Sequence, residues 1–160
     1  MQFLLAAAMA VFLAFFGGNY SNQQLTVDAG GPADLLLNQA IQGELAGNSG
    51  SQVDADLTSF ISNQYPDIYN RFNVPLVSRT VGETWVISIP MVDSAKVASW
   101  IARGNQDKRS DLAMLLQGLA QKDNEHTLLV LVSYNEQYLS AAYYSKDRTK
   151  MSIVEQVIQN

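Results

Sequence analysis

Three rhythms of hydrophobicity divide the chain. The first is a block without period: Phe3 to Phe16 is an unbroken apolar run of fourteen residues. As a helix it is about 21 Å long, and Met1 to Gly18 extends it to roughly 27 Å, just short of a hydrocarbon core of about 30 Å. A polar, uncharged stretch, Asn19-Tyr20-Ser21-Asn22-Gln23-Gln24, follows. Residues 25–33 then read as a short linker or strand, broken by Gly30-Gly31-Pro32.

The second rhythm is helical. It predicts a helix from Asp34 to about Ala46, with Leu36, Leu37, Ala40, Ile41 and Leu45 on one stripe. Asp34 stands where a carboxylate caps free amides and meets the positive end of the dipole. After the loop Gly47-Asn48-Ser49-Gly50-Ser51, a second helix spans Val53 to about Gln64, started by Asp54 or Asp56 and burying Leu57, Phe60 and Ile61. Pro66 ends it or opens a short continuation through Ile68, Tyr69 and Phe72. Asp93 or Ser94 caps a third helix carrying Val97, Ala98, Trp100 and Ile101 and closed by Gly104. Ser110 or Asp111 starts a fourth, with Leu112, Leu115, Leu116 and Leu119 inward. The apolar positions Ile153, Val154, Val157 and Ile158 predict a short docking helix in the tail.

The third rhythm has period two. Val74 to Ile89 predicts a β-hairpin turning near Gly82-Glu83, with Trp85, Ile87 and Ile89 on one side of its second arm and Pro90 as the stop. Thr127 to Tyr134 (TLLVLVSY) is apolar on both faces, as a central strand requires. Asn135-Glu136 turns it into a partner strand, Gln137 to Ser145. Helices and strands come in blocks, so the class is α+β: an N-terminal membrane helix, then one small domain with a mainly antiparallel sheet packed with helices. We divide the chain into an anchor or signal at 1–18, a polar linker at 19–33 and a single domain at 34–160.

The flanks of the apolar run favour an anchor over a cleaved signal. No Lys or Arg precedes it, and Phe15-Phe16-Gly17-Gly18 offers a poor cleavage site. The membrane-anchoring residues are then Phe3, Leu4, Leu5, Val11, Phe12, Leu13, Phe15 and Phe16. Charge gives the orientation. The first seventy residues hold no Lys or Arg, whereas cytoplasmic flanks attract them, so the body is expected in the bacterial periplasm, single-pass from the inner membrane. A net charge of −5 argues against nucleic acid as a partner. The absence of Cys excludes disulfides, zinc–thiolate sites and thiol nucleophiles.

Candidate chemistry is sparse. His126 is the single histidine, beside Asp123 and Glu125, and no nucleophile-elbow sequence accompanies it. Asp54-Ala55-Asp56 lacks the third acid, fixed Gly and closing Glu of a calcium loop and reads as a helix cap. Gly47 to Gly50 has no Lys-Ser or Lys-Thr behind it, and Ser94 with Lys96 reads as a cap and a solvated lysine rather than a Ser/Lys dyad. We therefore expect no enzyme, no cofactor and no metal site. Two features suit binding instead. Tyr134, Tyr138, Tyr143 and Tyr144 concentrate aromatics on the last hairpin, and Lys146, Arg148 and Lys150 form a basic knot on an acidic chain. Together they are the candidate partner surface.

An apolar stretch at the initiator Met, the start MQFLLAAAMAVFLAFFGG, an Asn/Ser/Gln spacer and one small Cys-free α+β domain together resemble the PilM family of thin, type IVb-like pili carried by conjugative plasmids. The resemblance implies an inner-membrane component of pilus biogenesis, partnered with other pilus or secretion-assembly proteins and open to homo-oligomerisation. It carries over no catalytic residue. Two alternatives stand beside it: a cleaved, soluble periplasmic or secreted binding domain, and a pilin-like subunit. Pilins place the cleavage-site Gly before the apolar run, whereas Gly17-Gly18 follows it here.

Overall fold

The apolar strand Thr127–Tyr134 organises the molecule. In the computed structural model, which describes residues 26–27, 31–42 and 52–157, it is β5, the middle strand of a seven-stranded mixed sheet. In chain order the elements are β1 (Thr26–Val27), α1 (Pro32–Ile41), β2 (Gln52–Val53), α2 (Ala55–Gln64), α3 (Pro66–Phe72), β3 (Val77–Val81), β4 (Thr84–Met91), α4 (Ser94–Ala102), α5 (Asn105–Lys122), β5, β6 (Gln137–Tyr144) and β7 (Lys150–Val154). Spatially the strands run β1-β7-β6-β5-β4-β3-β2. The chain is thus a small α+β domain. Residues 1–18, read as an anchor or signal, lie outside the described residues, as does Leu45 of the first predicted stripe. No helix among the described residues is long and apolar enough to cross a membrane.

β5 is buried on both faces because each face has its own layer. Leu128, Val130 and Val132 join Ile87, Ile89 and Met91 of β4 beneath α2, α3, α4 and α5. Leu129 and Leu131 face the other way, with Val86 and Ala141, and meet Leu37 and Ala40 of α1. The β4 alternation predicted from sequence is the one observed. The pairings β3–β4, β5–β6 and β6–β7 are antiparallel, but β4–β5 and β1–β7 are parallel. A parallel neighbour needs a crossover, and the two helices α4 and α5 supply it between β4 and β5.

Local chemistry sets the boundaries. Asp54 caps α2, accepting from Leu57 N at 3.0 Å through Oδ1, while Oδ2 accepts from Ser78 Oγ at 3.0 Å. Asp93 caps α4 by accepting from Ala95 N at 2.8 Å. Asn135 and Glu136 take φ of 50° and 65°, the two left-handed residues of a tight hairpin turn between β5 and β6. A register shift at Val132/Ser133 adds one residue to β6, which sends Tyr138 to the α1 layer and Leu139 to the other.

Five expectations need correction. The tail is not a helix but β7: Met151 and Ile153 fill the main core, while Ser152 Oγ accepts from Ala33 N of α1 at 3.3 Å. Pairing with β6 satisfied more backbone there than one helical turn offers. Pro90 does not stop β4, which runs on to Met91. The last β3 pair is Val77 with Ser88, so Pro90 sits where β4 has an open edge and its missing N–H costs nothing. The helix predicted from Ser110 or Asp111 starts at Asn105, and Gly104, which follows the Arg103 cap of α4 as expected, is also the N-cap of α5. The first helix starts at Pro32, a favoured first-turn residue, instead of Asp34. Ile41, placed on the inward stripe of that helix, is 53% exposed, because Ala33, Leu37 and Ala40 form the contact face.

Candidate binding surfaces

The tyrosines of the last hairpin do not form one surface. Strand alternation divides them between the two layers. Tyr144 is buried beneath the helices, where its hydroxyl accepts from Gln117 Nε2 at 3.3 Å, and Tyr134 packs half-buried against the same core. Tyr138 packs in the α1 layer, and Tyr143 pairs with Leu129 and Ser152, whose side chains face that layer too. Burial raises the Tyr138, Tyr143 and Tyr144 hydroxyls above their ordinary pKa, and the Asp147 charge adds to this at Tyr143. These rings are core and half-core residues, as their alternation in a covered strand requires.

The basic knot is occupied in a similar way. Arg148 Nη1 donates to the His126 carbonyl at 2.9 Å and the Ser145 carbonyl at 2.8 Å, and Nη2 donates to the Asp123 carbonyl at 2.7 Å. Its guanidinium also lies over the Tyr144 ring, 5.3 Å from the centroid. It is a clamp across two loops. Lys146 pairs with Glu83 at 2.8 Å; the contact holds the Glu83 carboxyl below its ordinary pKa and lifts the Lys146 ammonium above its own. Between them Asp147 accepts from Ser145 Oγ, Thr149 N and Thr149 Oγ1, hydrogen bonds that bring its carboxyl to about 2. Lys150 is exposed at the start of β7.

The remaining sequence candidates have structural partners. His126 Nδ1 lies 2.8 Å from Asp123 Oδ1, and its backbone N donates to Asp123 Oδ2 at 2.9 Å. Burial raises the Asp123 carboxyl, and these His126 contacts outweigh it, leaving the group below its ordinary pKa. Lys96 turns away from Ser94 and donates to the Asn70 carbonyl at 2.7 Å. Among the described residues, no group of three His, Cys, Asp or Glu side chains could hold a metal ion.

Two features were not read from the sequence. The first is a polar cleft of about 490 Å³ between α3 and α4, lined by Asp67, Arg71, Lys96, Trp100 and Arg103, two of which pair with Asp111. Asp111 is buried in α5, and its Oδ2 accepts from Arg103 Nε at 2.7 Å and lies 2.8 Å from Arg71 Nε. Arg71, Arg103 and Asp111 come from three elements, so no local pattern announces the cluster. Beside it the Trp100 indole donates to Ser140 Oγ at 2.9 Å, which donates on to the Glu155 carbonyl at 2.7 Å.

The second is the α1 face of the sheet. Among the described residues one ten-residue helix packs on this face, over β5, β6 and β7, with Val86 of β4 and Val81 of β3 joining its cluster at the margin. Register places Val53, Val77, Arg79, Val81, Thr84, Ser88 and Pro90 on that same face. Val53 is 61% exposed, Pro90 is exposed and Val77, Val81 and Ser88 are half-buried. The outer side of α1 adds Leu35 at 62% exposure. In comparisons with known proteins, the chain matches no protein-family model and no curated protein.

Proposed function

We propose that this protein is a non-enzymatic scaffold, tethered to the bacterial inner membrane by its N-terminal apolar run and presenting the α1 side of its sheet to a protein partner in the periplasm. One observation carries the reading: apolar side chains at Leu35, Ile41 and Val53 stand exposed on the layer where α1 is the one helix among the described residues. Exposed apolar surface of this kind marks interaction sites. The unbroken run Phe3 to Phe16 supports the tether, and the basic-free first seventy residues support the outward body. The layout shared with the PilM family supports placing the scaffold in a type IV or conjugative thin pilus, or a related secretion assembly.

The test uses the full chain in its native host. A photo-crosslinking residue at Leu35 or Val53 is expected to capture a discrete partner, another assembly protein or a second copy, while the same residue at Gln64 on the opposite layer does not. The chain is expected to stay with membranes through a high-salt wash. Release into the soluble fraction, starting near Asn19, overturns the tether in favour of the cleaved domain. Equal crosslinking at all three positions overturns the docking face, and unchanged piliation after gene deletion overturns the pilus role.

A further inference from the structure

The cleft between α3 and α4 lies on the helical layer, opposite the proposed docking face, and has a charge imbalance that the fold does not resolve. Arg71, Lys96 and Arg103 line it together with Asp67, and the buried Asp111 behind pairs with both arginines. One buried carboxylate serves two guanidiniums. Arg103 binds it bidentately, Nε to Oδ2 at 2.7 Å and Nη2 to Oδ1 at 3.3 Å. Arg71 Nε lies 2.8 Å from Oδ2 as an ion pair, outside hydrogen-bond geometry. Arg71 is held to Asp111 by charge rather than by an aligned hydrogen bond, and its side chain is 35% exposed. Lys96 reaches a neutral acceptor, the Asn70 carbonyl, which leaves its charge uncompensated.

We propose that this cleft binds the oxyanion of a small acidic ligand, a carboxylate or a phosphate. Arginine forks match both groups in plane and spacing, and lysine adds a point charge. Asp111 preorganises the arginines: it holds the two like charges together before the ligand arrives. The volume, about 490 Å³, is in the range of small-molecule sites, and Trp100 and Ala102 give it an apolar wall. Three of the ten basic residues of a chain with net charge −5 gather here. This site is independent of the tether and of the docking face.

The experiment titrates the full chain, in detergent where needed, with inorganic phosphate and with succinate at constant ionic strength set by chloride, followed by calorimetry. Saturable binding of at least one is expected. Lys96→Ala is expected to weaken it about tenfold, about 1.4 kcal/mol, while the melting temperature falls by no more than the loss of one exposed hydrogen bond to Asn70 gives, because Lys96 does not contact Asp111. Arg71→Gln is expected to weaken it at least as much, while Lys150→Ala leaves it unchanged. Phosphate alone, succinate alone or both binding would assign the ligand to phosphates, carboxylates or oxyanions generally. No saturable binding by either, or equal binding by wild type and Lys96→Ala, overturns the proposal.

Discussion

Replacing Arg148 separates the two roles that the last turn could have. As a partner-binding residue it would be dispensable for folding; as a clamp it is not. The side chain makes three hydrogen bonds to backbone carbonyls of two loops, at 2.7 to 2.9 Å, and is only 14% exposed. Hydrogen bonds to a charged group contribute about 1.5–3 kcal/mol each, but they share one guanidinium and lie close enough to water for partial rescue. We expect Arg148→Ala to lose about 3 kcal/mol in all, taking the low end and non-additivity together. Arg148→Lys should lose about half of that, since an ammonium cannot span the same three acceptors. The backbone adds a second, independent signature. Arg148 has φ of 62°, a left-handed conformation that costs a residue with a Cβ about 1 kcal/mol. Arg148→Gly should therefore be about 1 kcal/mol more stable than Arg148→Ala, although both lose the whole side chain. Urea denaturation followed by tryptophan fluorescence gives all three values, with the m-value expected to stay constant. An Arg148→Ala protein within about 0.5 kcal/mol of wild type, the range of ordinary surface changes, would refute the clamp. Ala as stable as Gly would refute the backbone argument.

Three further outcomes follow from the same geometry. Glu136→Gly relieves a φ of 65° in the β5–β6 turn and should stabilise the domain by about 1 kcal/mol, read as a higher urea midpoint; a lower midpoint counts against the turn assignment. Gly118→Ala would place a Cβ 2.5 Å from Tyr65 Cε2, and the Tyr65 hydroxyl accepts a hydrogen bond from Gln121 that restrains the ring. Overpacking of about 1–3 kcal/mol should outweigh the helix gain of about 1 kcal/mol from alanine. Tyr65→Leu in the same chain should cancel the loss, and a stabilised Gly118→Ala single mutant would contradict the close packing. Asp147 has its carboxyl lowered from 3.8 to about 2, so its contribution is present above pH 4 and is lost as pH falls toward 2. The urea midpoint of Asp147→Asn should then fall less between pH 5 and pH 2.5 than that of wild type; parallel falls would remove Asp147 from the acid transition.

What could be read from the sequence was what local chemistry decides. β5 announced itself because burial on both faces needs apolar residues at every position. Asp54 and Asp93 announced two helix starts because a cap acts over three residues, and Asn135-Glu136 announced a turn. The tail misled because Ile153, Val154, Val157 and Ile158 fit a helical stripe, while the pairing edge of β6 that claims Lys150–Val154 is invisible locally. Parallel pairing of β4 with β5 was equally hidden, since two helices separate them in sequence. At the surface, clustering of Tyr134, Tyr138, Tyr143 and Tyr144 suggested a patch only because sequence proximity ignores the alternation of a strand. The Arg71–Asp111–Arg103 cluster had no signal, since an arginine forty residues from its carboxylate carries no spacing rule.

The parallel register of β1 against β7 has a mechanical consequence. Thr26 lies beside Lys150, so everything N-terminal to it joins the domain at the sheet end that carries the Gly82-Glu83, Asp123–His126 and Lys146–Thr149 connections. Those connections are stitched together by the Lys146–Glu83 pair, the Arg148 bonds and the Thr127 N to Glu83 O bond. Nine residues lie between Phe16 and Thr26, so the ten Cα steps from one to the other can span at most about 35 Å. The opposite end, with the Asn135-Glu136 turn, is one eight-residue strand farther, about 26 Å. Under the proposed tether, the domain would sweep a shell only about 60 Å deep, stitched end inward, and a partner would have to come to it.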